Sequence, residues 1–156
     1  MNSKPFENVK DQIGCCGIWC GSCVAGNGAL KEMTRRYADI VDRYDLKDWA
    51  PKDFNFEEFR KGLSSIAQMP LCPGCLKEGG RPHCEIRTCV KGKKLDDCSQ
   101  CDSPASCPNS HLLHVMQTGA VKASLLVKKE DADREEILKK WMQDIQSLWP
   151  SRILFD

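Results

Sequence analysis

Eleven of the 156 residues are cysteines, and ten of them stand in four short groups. The groups are Cys16-x3-Cys20-x2-Cys23, Cys72-Pro-Gly-Cys75, Cys84-x4-Cys89 and Cys98-x2-Cys101-x5-Cys107, with Cys15 directly before the first. Two residues between cysteines let both sulfurs point at one centre while amides of the turn donate to the thiolates. The neighbours are Gly, Pro, Lys, Asp and Ser rather than an apolar face, unlike those of buried free thiols that act as small hydrophobes. The pattern therefore predicts metal ligation by Cys16, Cys20, Cys23, Cys72, Cys75, Cys84, Cys89, Cys98, Cys101 and Cys107, with one or two zinc ions as the expected cofactor. Cys15, next to a ligand and unable to point easily at the same metal, reads as a spare or buried thiol.

Spacing leaves the grouping open. Cys72, Cys75, Cys84 and Cys89 form the preferred first site, a four-sulfur set within 18 residues, and leave the trios Cys16/Cys20/Cys23 and Cys98/Cys101/Cys107 each short of a ligand. An interleaved scheme pairs Cys72 and Cys75 with Cys98 and Cys101, and Cys84 and Cys89 with the first trio. His111 and His114 follow Cys107 by four and seven residues and are candidate fourth ligands. His111 is slightly favoured by the shared helix face at that spacing, and His83 is the weakest of the three. The basic residues Arg81, Arg87, Lys91, Lys93 and Lys94 lie among these loops and read as a solvated cluster.

The first trio, C-x3-C-x2-C, also has the spacing with which radical S-adenosylmethionine enzymes hold an iron–sulfur cluster. Ser22 stands where that family carries an aromatic residue, and the chain lacks the length and strands for its barrel. A [4Fe-4S] cluster of another kind, in a redox or sensor protein, is the alternative to zinc. A thiol-based metal carrier or redox enzyme using Cys15 or the Cys72/Cys75 pair is a third reading, and would require an exposed sulfur of depressed pKa. No Ser/His/Asp set, paired carboxylates or open three-ligand centre stands out, so interaction or structure, rather than catalysis, is the expected output.

The motifs Cys16-Gly-Ile-Trp-Cys20-Gly-Ser-Cys23, Cys72-Pro-Gly-Cys75, Cys84-Glu-Ile-Arg-Thr-Cys89 and Cys98-Ser-Gln-Cys101 leading to Cys107 resemble those of the cysteine-rich family of bacteria and archaea known as DUF3795. The resemblance covers roughly residues 14 to 115, and Arg87 falls on the family's basic position, which implies an internal hydrogen bond or ion pair near the thiolates rather than a solvated side chain. It implies metal binding without an assigned reaction. The chain departs from the pattern at Asp102 to Ser106, where the family's spacer is shorter, and in carrying Cys15.

Something must position these loops, and three segments carry helical periodicity with little cysteine. Ala29 to Tyr44 sets Leu30, Met33, Tyr37, Ile40, Val41 and Tyr44 on one face, read as core. Asn55 with Glu58 forms a capping box, Phe54 and Phe59 a staple, and Phe56, Phe59, Leu63 and Ile66 an apolar face that must end before Pro70. Asp133 with Glu136 opens a third helix, bearing Ile137, Leu138, Trp141, Met142, Ile145, Leu148 and Trp149 up to Pro150. A shorter helix is expected from Pro108 to Gln117, ended by Gly119, followed by the apolar run Leu125 to Val127, either strand or helix. The expected fold is mainly α, a small helical domain with irregular cysteine-rich loops. Its parts are a polar segment (1–13), a cysteine-rich metal-binding domain (14–118) and a C-terminal helical extension (119–156) packing on the same unit.

Bulk properties narrow the partners. The 23 Lys and Arg against 22 Asp and Glu give a net charge of +1, leaving no excess to condense on nucleic acid. Glycine pairs at Gly79-Gly80 and Gly26/Gly28 lack a full phosphate-loop fingerprint. No apolar leader or 18-residue apolar run occurs, and an odd number of cysteines argues against complete disulfide pairing. The expectation is a cytoplasmic protein with reduced thiols, away from membranes, with a protein partner possible.

Overall fold

The structure, a computed structural model, describes residues 6–148. Among these the chain is mainly helical, with cysteine-bearing loops and tight 3-10 turns between helices. The helices are α1 (Val24–Asn27), α2 (Ala29–Arg43), α3 (Leu46–Trp49), α4 (Phe56–Gln68), α5 (Glu85–Gly92), α6 (Ser110–Lys122) and α7 (Arg134–Leu148). No strand occurs among the described residues. Two isolated antiparallel bridges, Ile13 with Trp19 and Ile18 with Val127, hold the first cysteine loop.

The capping signals act as expected. Asn55 Oδ1 accepts from the Glu58 amide at 3.1 Å and α4 begins there, while Phe54 and Phe59 meet with ring centroids 5.5 Å apart. Asp133 Oδ1 accepts from the Glu136 amide at 2.8 Å at the start of α7. Trp141 of α7 stacks on the fully buried Trp19, centroids 5.7 Å apart, so α7 lies against the first cysteine loop. Trp149 and Pro150 lie outside the described residues.

Four expectations change. The apolar stripe of α2 is only partly core: Val41 is buried, but Met33, Tyr37 and Tyr44 are exposed. The reason is that α2 packs chiefly along α4, which itself has no buried residue, so the pair is a two-helix layer with a half-wet seam. Tyr37 and Phe59 meet edge-on there, and Arg60 pairs with Asp42 at 2.8 Å. The helix after Pro108 does not end at Gly119 but runs to Lys122, because nothing packs where a glycine would be needed and the left-handed residue that ends it is Ser124. The run Leu125 to Val127 is neither full strand nor helix. It is extended backbone whose Leu126 carbonyl accepts from the Trp19 amide. Finally, Cys84 to Cys89 is not a loop but the start of α5, whose Ile86 and Val90, four residues apart, are buried to 1% and 2% exposure.

That short helix organises the core. Ile86 and Val90 cluster with Cys15, Cys16 and Cys84, and Ile18, Cys75, Leu95, Cys98, Leu112, Leu113 and Met116 close around them. Cysteine sulfur thus forms part of the hydrophobic core itself.

Candidate metal centre

Two cavities flank this core, and both are lined by sulfur. The first, about 160 Å³, is lined by Cys15, Cys16, Cys20 and Cys23 from the N-terminal loop, Cys72 and Cys75 from the Pro-Gly turn, and Cys84 at the start of α5. The second, about 170 Å³, is lined by Cys89, Cys98, Cys101 and Cys107. All eleven cysteines therefore face one cavity or the other, and none is in a disulfide.

The two cavities divide the cysteines differently from either grouping read from spacing. Cys84 precedes α5 and Cys89 lies within it, and five residues of helix turn the chain by about 500°, leaving the two side chains about 140° apart around the axis. In line with that divergence, Cys84 lines the first cavity and Cys89 the second. The first trio gains Cys72, Cys75 and Cys84, while the second gains Cys89 as its fourth sulfur. His114, not His111, lines the second cavity, and His83 lies in an open cleft with Cys84 and Thr88.

Backbone contacts fix these loops. The Cys72 amide donates to the Ala25 carbonyl at 3.1 Å, and Asn8 Nδ2 donates to the carbonyls of Gly26 and Cys72 at 2.6 and 3.0 Å, seating the Pro-Gly turn on α1. Gly74 takes φ +89°, which the turn requires and a side chain resists. At Gly79 the constraint is space, since a Cβ there would stand 2.9 Å from Cys72 Sγ. The Cys75 amide donates to Cys20 Sγ at 3.5 Å, an amide-to-sulfur contact that joins the Pro-Gly turn to the first cysteine loop. The two cavities are tied together by the Cys98 amide, which donates to the Cys15 carbonyl at 2.9 Å, and by Gln117 Nε2, which donates to the Cys16 carbonyl at 2.9 Å.

Each cavity also has a cation turned towards sulfur. Arg87 on α5 is 8% exposed; it donates to the Gly79 carbonyl at 2.8 Å and lies beside Cys75, Cys84 and Cys15. Its Nε is buried with no partner, and no carboxylate among the described residues pairs with it. Lys93 Nζ donates to Cys101 Sγ at 3.3 Å, and the other basic residues of the cluster, Arg81, Lys91 and Lys94, are exposed. The expected internal bond of Arg87 is present, whereas the role of Lys93 was hidden among its solvated neighbours.

The thiols respond to these surroundings in opposite ways. Burial raises Cys16 to about 11, and burial with the nearby Cys16, Cys107 and Cys89 raises Cys98 to about 12. Burial and Cys75 raise Cys15. Cys101 is lowered by a backbone hydrogen bond from Ser103 and by the Lys93 ammonium. Among the described residues no three His, Cys, Asp or Glu side chains already form a group that would hold an ion. The donor set nevertheless fits a thiophilic metal: soft sulfur in quantity, amide donors to it, and a guanidinium beside it that has no carboxylate partner among the described residues.

No helix among the described residues is long and apolar enough to cross a membrane. No curated protein and no solved structure matches the chain. The family model described as protein of unknown function (DUF3795) matches residues 12–112, a stretch that contains every cysteine, and the chain belongs to that family.

Proposed function

We propose that this protein is a zinc-binding, cysteine-rich module in which metal–thiolate centres hold the loops together and present a non-catalytic interaction or structural surface. The observation that carries the reading is Arg87, a buried guanidinium with an unpartnered Nε, set among cysteines and without a carboxylate partner among the described residues. A buried cation without an anion is costly, and neutral thiols supply none. Four thiolates on a divalent zinc are formally doubly negative, so metal loading gives the guanidinium its counter-charge. Lys93 on Cys101 plays the same part at the second cavity, more weakly because it is exposed. With every cysteine directed at a cavity, the metals would serve mainly to fold the loops.

Cavity size favours a second reading, an iron–sulfur cluster. Each cavity has room for a small inorganic core, and the first is lined by the Cys16, Cys20 and Cys23 trio. Metal analysis and a visible spectrum on protein purified without oxygen or added metal decide between them. Zinc with no visible band supports the structural module. Iron with matching acid-labile sulfide replaces it by a redox or sensor protein, and a metal-free, folded protein overturns both.

A further inference from the structure

The two cavities are alike in volume but hold different numbers of sulfurs, seven against four. We propose that the first cavity takes a sulfur-bridged centre of more than one metal ion, with Cys75 as its central ligand, while the second takes one tetrahedral ion. The inference rests on the reading that these cysteines bind metal, and adds the nuclearity of one centre.

A tetrahedral ion is saturated by four thiolates, which Cys89, Cys98, Cys101 and Cys107 supply in full. The same stoichiometry in the first cavity would strand three sulfurs, and those farthest from solvent, Cys15, Cys16 and Cys84, are 2%, 5% and 5% exposed. Of these, Cys15 and Cys84 are more than apolar fillers, because Arg87 is placed beside both as well as beside Cys75. A cation set among three sulfurs calls for thiolates, in addition to the neighbouring set of Cys20, Cys23 and Cys72 in the same cavity. Cys75 stands between the sets: its amide donates to Cys20 Sγ at 3.5 Å, and its thiol lies beside Cys20 as well as beside Cys15 and Arg87. A sulfur facing both sets is placed to serve two metal ions at once. Two divalent ions that share Cys75 are both saturated by the seven thiolates of this cavity and are formally triply negative, more than one ion with four, so Arg87 suits the larger centre at least as well. The bridging sulfur is either cysteine thiolate or inorganic sulfide.

The test uses the full chain carrying Cys89→Ser and Cys107→Ser, which disables the second cavity, purified without oxygen or added metal and examined by native mass spectrometry with an acid-labile sulfide assay. Retention of two or more ions per chain, lost together when Cys75→Ser is added, is the expected result. Zinc without sulfide identifies thiolate as the bridge, and iron with sulfide identifies inorganic sulfur. Retention of one ion or none overturns the proposal. If circular dichroism shows that the variant does not fold, the unmodified chain decides: three or more ions support the larger centre and one or two overturn it. An unmodified chain that binds no metal removes the underlying reading as well.

Discussion

At the scale of single residues, the chemistry turns on how burial and charge are set against each other around sulfur. Arg87 gives up hydration for two carbonyls and three neighbouring cysteines. A hydrogen bond to a charged group contributes about 1.5–3 kcal/mol, so Arg87→Met is expected to weaken metal retention about 10- to 100-fold in a chelator competition. Arg87→Lys should not restore it, because an ammonium cannot reproduce the planar fork. The thiols give a second prediction, for the reduced, metal-free chain. Cys16 and Cys98 rise from 9.0 to about 11 and about 12, so the folded state favours the protonated thiol. That contribution is complete below pH 9 and is lost as pH rises through 11 to 12. The urea midpoint should therefore fall over this alkaline window, and fall less in a Cys16→Ala, Cys98→Ala variant. An equal fall in both would assign the effect to other groups.

At the scale of elements, α5 and the α2–α4 layer are stabilised differently. Ile86 is almost fully buried between the cavities, on the helix that brings Arg87 and Cys89 to their positions. Ile86→Ala is expected to cost about 2–5 kcal/mol by urea unfolding, with metal lost from both centres rather than one. The α2–α4 pair has little core and relies on its caps and seam. Asn55→Ala removes the bond to the Glu58 amide and should cost about 1 kcal/mol while leaving metal content unchanged. Loss of metal in that variant would show that the helical layer and the cysteine core are coupled more closely than their contacts imply.

At the scale of the whole molecule, a buried ion pair joins distant parts of the chain. Lys128 and Asp97 have side chains 3% and 1% exposed and meet at 3.1 Å. Asp97 also accepts from the Ser99 amide at 2.8 Å beside Cys98, and the Lys128 amide donates to the Gly17 carbonyl beside Cys16. One pair thus holds the second cysteine loop, the extended segment before α7 and the first cysteine loop in register. Removing one partner leaves a buried charge, so Lys128→Met is expected to cost about 3–5 kcal/mol, measured by urea unfolding. The combined Asp97→Leu, Lys128→Met variant should be less destabilised than Lys128→Met alone. If the double variant is as unstable as the sum of the two singles, the pair's attraction is not what holds these segments.

The sequence by itself determined the helices with strong local signals and the grouping of the cysteines into short motifs. Asn55 with Glu58 and Asp133 with Glu136 mark helix starts because capping is settled within one turn of backbone, and the cysteine motifs were legible because short turns fix which sulfurs can share a direction. A local signal for α5 was present in Ile86 and Val90, four residues apart, but the C-x4-C spacing around it read equally well as a chelating pair. Only the tertiary structure decided that this segment is helical and sends Cys84 and Cys89 to separate cavities. It also decided that Cys15 faces sulfur, that His114 rather than His111 lines the second cavity, and that Asp97 finds Lys128. Each depends on elements far apart in the chain being brought together. The exposure of Met33 and Tyr37 has the same cause: periodicity tells which side chains share a face of α2, and only the packing partner determines how much of that face is covered.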